Sequence, residues 1–330
     1  MIISKTPFRI SFFGGGSDYP EWYQKFGGEV ISTTINKYLY ISLRRPPKFY
    51  KYKYRILYSK DEMVGSINEI QHKPVREMLK YFKIKGGMEV HYDADLPARS
   101  GIGSSSAFIV GFLSNLLTIQ KKTINKKTLA TQSIFLEKDI LKEIVGSQDQ
   151  VACAYGGFNN LKFLKNGSFS VKKINIDLEK KNFLEGNLFL AYSAIQRTAQ
   201  IVAKSFVQDL SGKKIKEMQN INLILQDAKK LLKSKDLSLF GELLNESWML
   251  KRSLSNKVST NKLDELYNFA LESGASGGKL LGAGGGGFFA FYVKKPNQKK
   301  FLEKMKKTIV LPIKFDNEGS QIIADTHTDY

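Results

Sequence analysis

An α+β fold in two domains is predicted by three observations on this chain of 330 residues. The chain is long enough for two domains, each with its own apolar core. Its first third is rich in aromatic and β-branched residues, which favour strands. Near residue 186 the character changes, and long lysine-rich segments with helical periodicity follow one further strand. We therefore expect an N-terminal domain over residues 1–185 and a C-terminal domain over residues 186–330.

Strands are predicted where aromatic and β-branched residues cluster or alternate with polar ones. In the first domain they span residues 8–13, 38–44, 52–59 and 87–93. A hairpin over residues 157–176 is predicted to turn at Asn166-Gly167. In the second domain strands are expected over residues 188–193, 288–293, 309–315 and 320–324.

Helices are predicted from apolar periodicity and from end signals. Residues 74–83 form one, with Pro74 near its start. Residues 104–118 are apolar on most faces, which is typical of a buried helix. The remaining predicted helices span residues 126–142, residues 146–157 ending at glycines, several segments across 213–273, and a segment near 296–307.

The formal net charge of +20 raises the question of a nucleic-acid partner. The lysines are scattered along polar helix faces instead of forming a stripe, so a small anionic substrate is equally compatible with the charge. No apolar run approaches the ~18 residues of a membrane span, and the N-terminus lacks the apolar segment of a signal peptide. The only cysteine, Cys153, is expected in the core, and its isolation fits a reducing cytoplasm.

The first of three glycine-rich segments, "FGGGSDYPEW", begins where the strand over residues 8–13 ends. Glycine has no Cβ, so the backbone can turn sharply and lie close to a ligand. The carboxylate of Asp18 could accept hydrogen bonds from sugar hydroxyls. The alternative is a tight strand-to-helix turn in which Asp18 caps the helix.

The second segment, "RSGIGSSSA" over residues 99–107, leads into the predicted buried helix. It is not a nucleotide loop of the GxxxxGK[ST] type, because no lysine follows the glycines. Free backbone N–H groups and the dipole at a helix start favour an anion, and phosphate is the usual one. Capping of the helix would explain one serine, but not three after G-x-G.

The third segment, "GGKLLGAGGGGFFAFYV" over residues 277–293, places four consecutive glycines before an apolar strand. Each glycine loses more chain entropy on folding than another residue would. A ligand or another loop is therefore expected to approach this backbone closely. A flexible hairpin is the weaker alternative, because both flanks are strongly structured.

The order and spacing of the three segments resemble those of the GHMP kinases, which include galactokinase, homoserine kinase, mevalonate kinase and phosphomevalonate kinase. "GIGSSSA" is similar to the family's G-[LI]-G-S-S-[AS] phosphate loop, and "KLLGAGGGG" is similar to its K-x-[TS]-G-A-G-x-G-G pattern, with Leu281 in place of the hydroxyl residue. In the first motif the sequence Gly15-Gly16-Ser17-Asp18 replaces the frequent G-E-H-x-D. Together, this first motif and the segment "GSQDQVACAYGG" resemble the corresponding segments of the heptose 7-phosphate kinases within the superfamily.

The resemblance implies an N-terminal α/β domain like that of a ribosomal small-subunit protein, and a ferredoxin-like C-terminal domain. It implies that ATP and Mg²⁺ are cofactors and that the anomeric hydroxyl of a sugar phosphate, D-glycero-D-manno-heptose 7-phosphate, is phosphorylated to the 1,7-bisphosphate. The expected partners are ATP and this sugar phosphate, with no nucleic acid and no membrane, for a monomer or homodimer. A fucokinase-like or galactokinase-like enzyme and a basic nucleic-acid-binding module remain as alternatives.

The resemblance also assigns residues to each ligand. The expected ATP-binding residues are Arg99, Gly101, Gly103, Ser104, Ser105, Ser106, Lys279, Gly284 and Gly285. The expected substrate-binding residues are Gly15, Gly16, Ser17, Asp18, Arg197, Gly285 and Gly286. Magnesium, which takes oxygen ligands, is expected on Ser105 and Glu137, although Glu137 could also be an exposed helical glutamate. Adenine contacts are expected from residues 44–75.

Two further residues are candidates for catalysis. Asp149 matches the family's candidate base and would accept the proton of the anomeric hydroxyl; the alternative is that it caps the helix that follows. Arg9 aligns with a basic residue of several members and would hold Asp149 in its ionised form; the alternative is a surface charge at a strand edge. For the distant phosphate of the substrate, Arg197 is the first choice, because a guanidinium binds phosphate with two parallel hydrogen bonds.

Overall fold

The computed structural model describes residues 1–123, 125–196 and 199–326, and its strands form two sheets. The strands are β1 (Ile2–Phe13), β2 (Gly28–Arg44), β3 (Tyr54–Leu57), β4 (Asp61–Val64), β5 (Met88–Ala94), β6 (Phe158–Phe163), β7 (Phe169–Lys173), β8 (Leu188–Tyr192), β9 (Gly277–Leu280), β10 (Phe288–Tyr292), β11 (Val310–Pro312), β12 (Phe315–Asp316) and β13 (Gln321–Asp325). The helices are α1 (Pro20–Phe26), α2 (Lys73–Tyr81), α3 (Ser104–Ile119), α4 (Lys126–Phe135), α5 (Gln148–Tyr155), α6 (Leu178–Asn187), α7 (Ala199–Ala203), α8 (Ile215–Lys233), α9 (Phe240–Arg252), α10 (Asn261–Glu272) and α11 (Gln298–Lys304).

The larger sheet has nine strands in the described part of the chain and is organised around β2. With 17 residues, β2 is long enough to pair with β1 on one side and with β6, β12 and β5 in turn on the other. Its pairings are antiparallel, whereas β3 runs parallel to β5. Helix α3 packs across β1 and β2, and its apolar residues fill the core beneath the sheet.

The smaller sheet has the order β11-β8-β10-β9 and is antiparallel throughout. Helix α9 packs on β9 and β10, and its Trp248 meets Phe289 of β10 edge to face with ring centroids 5.7 Å apart. Mixed helix and sheet in two layers of this kind confirm the predicted α+β class.

An aromatic contact joins the two sheets at the place where β1 ends. The ring of Phe240 on α9 lies 5.3 Å from that of Phe12 and 5.4 Å from that of Phe13, both edge to face. All three side chains are fully buried. Such pairs add about 0.5–1.5 kcal/mol beyond the area they bury. The contact therefore fixes the point from which the first glycine-rich segment leaves the sheet.

The end of the chain returns to the larger sheet. Strand β12 pairs with β2, where Phe315 lies opposite Ile35, and β13 pairs with β1, where Asp325 lies opposite Ile2. Both strands lie within the expected second domain of residues 186–330, but they complete the larger sheet by satisfying open backbone groups of β1 and β2. The boundary near residue 186 stays a prediction.

The other predicted elements form close to their expected positions, with two kinds of difference. The predicted helix over residues 126–142 is shorter, because α4 ends at Phe135 and a π-helical turn, Leu136–Ile140, follows it. Strands β4 and β9 and helices α1, α6 and α7 were not predicted. Among the helices that the structure describes, none combines the length and the apolar character needed to cross a bilayer.

Candidate functional site

The three glycine-rich segments converge on one cavity of about 310 Å³. The expected site residues that line it are Arg9, Gly15, Gly16, Asp18, Arg99, Gly101, Gly103, Ser104, Ser105, Ser106, Asp149, Lys279, Gly284 and Gly286. Among the residues that the structure describes, the expected Ser17, Glu137 and Gly285 lie outside this lining. Arg197 falls outside the described residues. Residues from both halves of the sequence therefore line the cavity.

The second segment presents the start of α3 to the cavity. The helix begins at Ser104 and is 16 residues long, and the residue before it, Gly103, has a left-handed conformation with φ of 78°. No side chain caps this end, so the first backbone N–H groups are not occupied by a serine hydroxyl. Together with the helix dipole they form an anion-binding arrangement.

The third segment supports the second by direct backbone contact. Phe288 N donates to Ser100 O over 3.0 Å. A Cβ added at Gly101, where φ is +80°, would lie only 2.6 Å from Leu281 O. The close approach anticipated for the glycine run is thus made by another loop. It fixes the anion-binding segment in place instead of leaving a flexible hairpin.

The first segment brings a buried carboxylate to the cavity. Asp18 is 1% exposed, and its oxygens accept hydrogen bonds from Gly16 N (3.1 Å) and Gln148 N (3.4 Å). It does not cap α1, whose N-cap is Tyr19. Burial raises the pKa of Asp18. A Cβ at Gly146 would lie 1.8 Å from Asp18 Oδ2, so the glycine of "GSQD" makes room for this carboxylate.

Two expected site residues have backbone partners instead. The Ser17 hydroxyl donates to Gly14 O (2.8 Å) and is also bonded to the backbone of Glu29. It holds the turn after β1 closed. Gly285 N donates to Val258 O over 2.8 Å, which ties the third segment to the loop after α9. The structure thus gives both residues a part in shaping the loops.

Arg9 and Asp149 form a bidentate ion pair in the lining of the cavity. Arg9 Nε lies 2.7 Å from Asp149 Oδ1, and Nη2 lies 2.6 Å from Oδ2. The remaining Nη1 donates to Gly101 O over 2.6 Å. Arg9 is 3% exposed, so it is not a surface charge. Asp149 lies in the first turn of α5 after Ser147, the N-cap, and its carboxylate bonds Arg9 instead of capping the helix.

Glu137 is fully buried on the π-helical turn, so it is not an exposed helical glutamate. It accepts hydrogen bonds from Ser105 Oγ (2.9 Å), Ser106 Oγ (2.7 Å) and Gln150 Nε2. None of these partners carries a charge, and burial raises the pKa of Glu137 to about 7. A divalent cation would favour its ionised form. Carboxylate and hydroxyl oxygens are the ligands that magnesium takes, so Glu137 and the cavity-lining Ser105 fit this metal.

Two lysines also line the cavity, and the sequence pointed to only one of them. Lys279 is 3% exposed and donates to Phe12 O over 2.6 Å, and burial lowers its pKa to about 7. The second is Lys251 on α9, which donates to Leu280 O (2.8 Å) and to Gly282 O. Nothing in the sequence distinguishes Lys251 from the other lysines of the helical region, because its place against the glycine loop depends on the packing of α9.

The structure also bears on Cys153, on residues 44–75 and on lining residues that the sequence did not indicate. Cys153 is buried, as expected for a core residue. Residues 44–75 do not line the cavity, so the adenine contacts expected from them stay a prediction. Further lining residues without a sequence signal include Ser11, Tyr19, Glu143, Gln148, Gln200, Phe206 and Leu254. Apolar and amide side chains of this kind are recognised as site residues only when the fold brings them together.

Known proteins share both the sequence pattern and the fold. A D-glycero-alpha-D-manno-heptose 7-phosphate kinase of Campylobacter jejuni is 28% identical to this chain, and the similarity covers 96% of this chain and 97% of that protein. A galactokinase of Pyrococcus furiosus is 24% identical, with 90% of each chain covered. The crystal structure of a D-glycero-D-manno-heptose 1-phosphate kinase from Bacteroides thetaiotaomicron has a TM-score of 0.80 at 22% identity and covers 99% of this chain and 100% of its own. This last likeness shows the fold.

Two family descriptions match the chain itself. The GHMP kinases N terminal domain matches residues 71–157, which contain the second glycine-rich segment, Glu137 and Asp149. The GHMP kinases C terminal domain matches residues 228–310, which contain Lys251 and the third segment. Together the matches span just over half of the chain. The chain therefore belongs to the GHMP kinase family, whose members use ATP as the phosphate donor.

Proposed function

We propose that this protein transfers the γ-phosphoryl group of ATP to the anomeric hydroxyl of D-glycero-D-manno-heptose 7-phosphate, which gives the 1,7-bisphosphate and ADP. The observation that carries the proposal is the arrangement of Arg9, Asp149 and the start of α3 around one cavity. A carboxylate next to a phosphate-binding helix end is what transfer to a hydroxyl needs. Such reactions depend mainly on positioning and on neutralising charge.

The start of α3 would hold the phosphates of ATP. No side chain caps this helix end, Ser104 and Ser105 line the cavity, and the helix dipole favours negative charge there. Arg99 lines the same cavity and can pair with a phosphate oxygen. The third segment would keep this loop in shape through Ser100 and Gly101.

Asp149 would accept the proton of the anomeric hydroxyl while that oxygen bonds to the γ-phosphorus and the bond to the leaving ADP oxygen breaks. Arg9 positions the carboxylate through two hydrogen bonds. Because its third bond goes to Gly101 O, Arg9 also sets the base against the phosphate loop. Asp18, which also lines the cavity, would accept hydrogen bonds from sugar hydroxyls.

Magnesium would be held by Ser105 and Glu137. When bound, it supplies positive charge that neutralises the phosphate oxygens of ATP. The protein contributes the buried carboxylate and orients it through Ser106 and Gln150. Binding of the cation would favour the ionised form of Glu137 over the protonated form that burial favours.

The substrate is proposed from the relative whose similarity covers nearly the whole chain, the heptose 7-phosphate kinase of C. jejuni. The fold neighbour from B. thetaiotaomicron is described as a heptose 1-phosphate kinase, which gives a different position for the phosphate. The two positions are chemically exclusive for the proposed reaction, since a 1-phosphate has no free anomeric hydroxyl. Arg197 stays the predicted clamp for the 7-phosphate.

A panel of acceptors tests this function. ADP release would be measured with heptose 7-phosphate, heptose 1-phosphate, unphosphorylated heptose, fucose and galactose, and the product would be examined by phosphorus NMR. We expect turnover with heptose 7-phosphate and a second phosphorus signal split by the anomeric proton. Preferred turnover of fucose or galactose would replace the proposal with the fucokinase-like or galactokinase-like alternative. A salt-dependent shift of labelled RNA or DNA would support the nucleic-acid-binding module instead.

A further inference from the structure

The cations that line the cavity differ in their partners. Arg9 is paired with Asp149, whereas the hydrogen bonds of Lys251 and Lys279 go to carbonyl and hydroxyl oxygens. Carbonyl oxygens orient an ammonium group but do not neutralise its charge. Either lysine could therefore take an anionic partner from a ligand.

Access distinguishes the two lysines. Lys279 is 3% exposed, and its ammonium is directed to Phe12 O near the C-terminal end of β1 and to Ser247 Oγ on α9. Lys251 is partly exposed and lines the cavity together with Gly282 and Gly284 of the third segment. It is the lysine of this pair that a ligand in the cavity can approach.

The direction of the Lys251 ammonium is set by the glycine loop. Two of its three N–H groups are used by Leu280 O and Gly282 O. The Trp248 ring lies 5.9 Å from Nζ on the helix side. This leaves one N–H group for a further acceptor. A lysine held in this way loses little additional side-chain freedom when it binds an anion.

The electrostatic surroundings favour an anion at the same point. Enclosure by the protein lowers the pKa of Lys251 well below its usual value, although part of the side chain stays accessible, and the nearby charges of Lys279 and Arg9 lower it further. The protonated forms of both lysines are disfavoured by this repulsion, and a negative charge placed beside them would favour protonation. Asp18 and Asp149 offset this only in part.

We propose that Lys251 is a phosphate-binding residue of this cavity and that its free N–H group contacts an anionic phosphate oxygen. The phosphate belongs either to the sugar phosphate or to the γ-position of ATP, and this choice of two sources rests on the proposed function. Lys251 lies on α9 and is bonded to Leu280 O and Gly282 O of the third segment, which packs against the anion-binding loop, and this position suits both sources. In the expected second domain the sequence analysis assigned Arg197 to the sugar phosphate and Lys279 to ATP, but it assigned nothing to Lys251.

Binding measured without turnover tests the proposal. The variants are Lys251→Gln, which keeps a donor for the loop carbonyls and removes the charge, Lys251→Met, and Lys251→Arg, which keeps the charge. Arg252→Gln is the matched control, because Arg252 is the next residue of α9 and pairs with Asp264 over 2.7 Å outside the cavity lining. Affinity would be taken from thermal-shift titrations with inorganic phosphate, heptose 7-phosphate, unphosphorylated heptose, ADP and a non-hydrolysable ATP analogue.

We expect Lys251→Gln and Lys251→Met to weaken a phosphate ligand about 10- to 100-fold, as for loss of a charge-assisted hydrogen bond. Lys251→Arg should retain most of the affinity, and Arg252→Gln should match the wild type. Weakening of heptose 7-phosphate but not of unphosphorylated heptose assigns the contact to the sugar phosphate. Weakening of the ATP analogue but not of ADP assigns it to the γ-phosphate.

The proposal is overturned if folded Lys251→Gln binds every phosphate probe as the wild type does, or if Lys251→Arg loses as much affinity as Lys251→Gln. Should Lys251→Met fail to fold, Lys251→Gln and Lys251→Arg still provide the comparison. The failure of the proposed function is a separate result. It would appear as a wild type that does not respond to heptose 7-phosphate, whereas inorganic phosphate and the ATP analogue still report on Lys251.

Discussion

Arg9 on β1 and Asp149 on α5 are joined by two hydrogen bonds of 2.7 and 2.6 Å, although 140 positions separate them in the sequence. The third bond of the same guanidinium, to Gly101 O, links this pair to the segment before α3. One buried side chain therefore holds the proposed base and the proposed phosphate loop in a fixed relation. Bidentate arginine–carboxylate pairs are among the most directional contacts in proteins, so this geometry is sensitive to small changes.

Replacing Asp149 with asparagine should lower kcat by about 100-fold or more while the affinity for ATP changes little, because a positioned base contributes about 10²–10⁴-fold. Steady-state kinetics with both substrates would measure this. Asp227→Asn is the control, since Asp227 is an exposed residue of α8. Turnover close to the wild-type value would remove Asp149 from the chemical step.

Replacing Arg9 with lysine should reduce kcat by roughly 10-fold or more, because lysine keeps the charge but cannot make three hydrogen bonds in a planar fork. Arg9→Met should reduce it further, since Asp149 would then lie in the cavity without its cation. Steady-state kinetics should therefore give kcat values that decrease in the order wild type, Arg9→Lys, Arg9→Met. If lysine restored full turnover, charge alone would suffice, and the directional argument would be wrong.

Replacing Ser105 with alanine or Glu137 with glutamine should each raise the magnesium concentration at half-maximal activity. Both changes remove an oxygen ligand from a cation that takes only hard donors. Because the two side chains are 2.9 Å apart, the double variant should show less than the sum of the single effects. Magnesium titrations would be compared with those of Glu246→Gln, an exposed position on α9. Curves that overlay the wild type would leave Ser105 and Glu137 with a structural role only.

Replacing Gly101 with alanine should destabilise the protein more than replacing Gly167 does. Both glycines have positive φ, +80° and +85°, so both alanines carry the backbone cost of about 1–2 kcal/mol. Only at Gly101 would the new Cβ also lie 2.6 Å from a carbonyl oxygen, that of Leu281, whereas nothing lies within 4 Å at Gly167. Urea denaturation gives the difference, and Gly101→Ala should also raise KM for ATP. Equal losses of stability would argue against a rigid contact between the two loops.

The free energy of unfolding should depend on pH through Lys279. Its pKa falls from the ordinary 10.5 to about 7 in the folded protein because the side chain is buried. Between these values the unfolded chain binds a proton that the folded chain does not, so stability rises with pH by up to about 1.4 kcal/mol per unit. This gain is lost as the pH falls toward 7.

Urea denaturation at pH 7.5, 8.5 and 9.5 measures this effect. The difference in unfolding free energy between wild type and Lys279→Met should change in favour of the wild type as the pH rises. Lys233→Met, at an exposed position of α8, should run parallel to the wild type over the same range. Parallel curves for Lys279→Met as well would mean that Lys279 stays charged in the folded protein.

The sequence was informative wherever a local pattern decides the outcome. The start of α3 at Ser104 follows from glycines and serines ahead of an apolar run, and it is confirmed to the residue. The strand over residues 8–13 is part of β1, whose fully buried Phe12 and Phe13 reflect its apolar pattern. Glycine runs were recognised as points of close approach because no other residue allows it. These features depend on neighbours in the chain.

Short elements without a strong local pattern were missed, because their formation depends on partners that are distant in the sequence. Strand β9 consists of Gly277–Leu280, and glycine has little intrinsic preference for a strand. It forms because Phe289 and Ala290 of β10 offer open backbone partners to Leu280 and Lys279. Likewise, the strand predicted over residues 309–315 covers β11 and only the first residue of β12, and the strand predicted over residues 320–324 matches β13. The pairing of β12 with β2 and of β13 with β1 could not be predicted, since backbone pairing between residues about 300 positions apart leaves no trace in local composition.

By itself, the sequence determined the α+β class, the three glycine-rich segments and, through their order, membership of the GHMP kinase family. Only the tertiary structure decided that Glu137 is buried against Ser105 and Ser106, that Ser17 closes a turn, and that Lys251 reaches the cavity. The physical reason is that a side chain's burial and charge partners come from segments remote in sequence. Local periodicity fixes which elements form, whereas the packing of β1, α3, α5 and α9 around one cavity decides which of their polar groups meet.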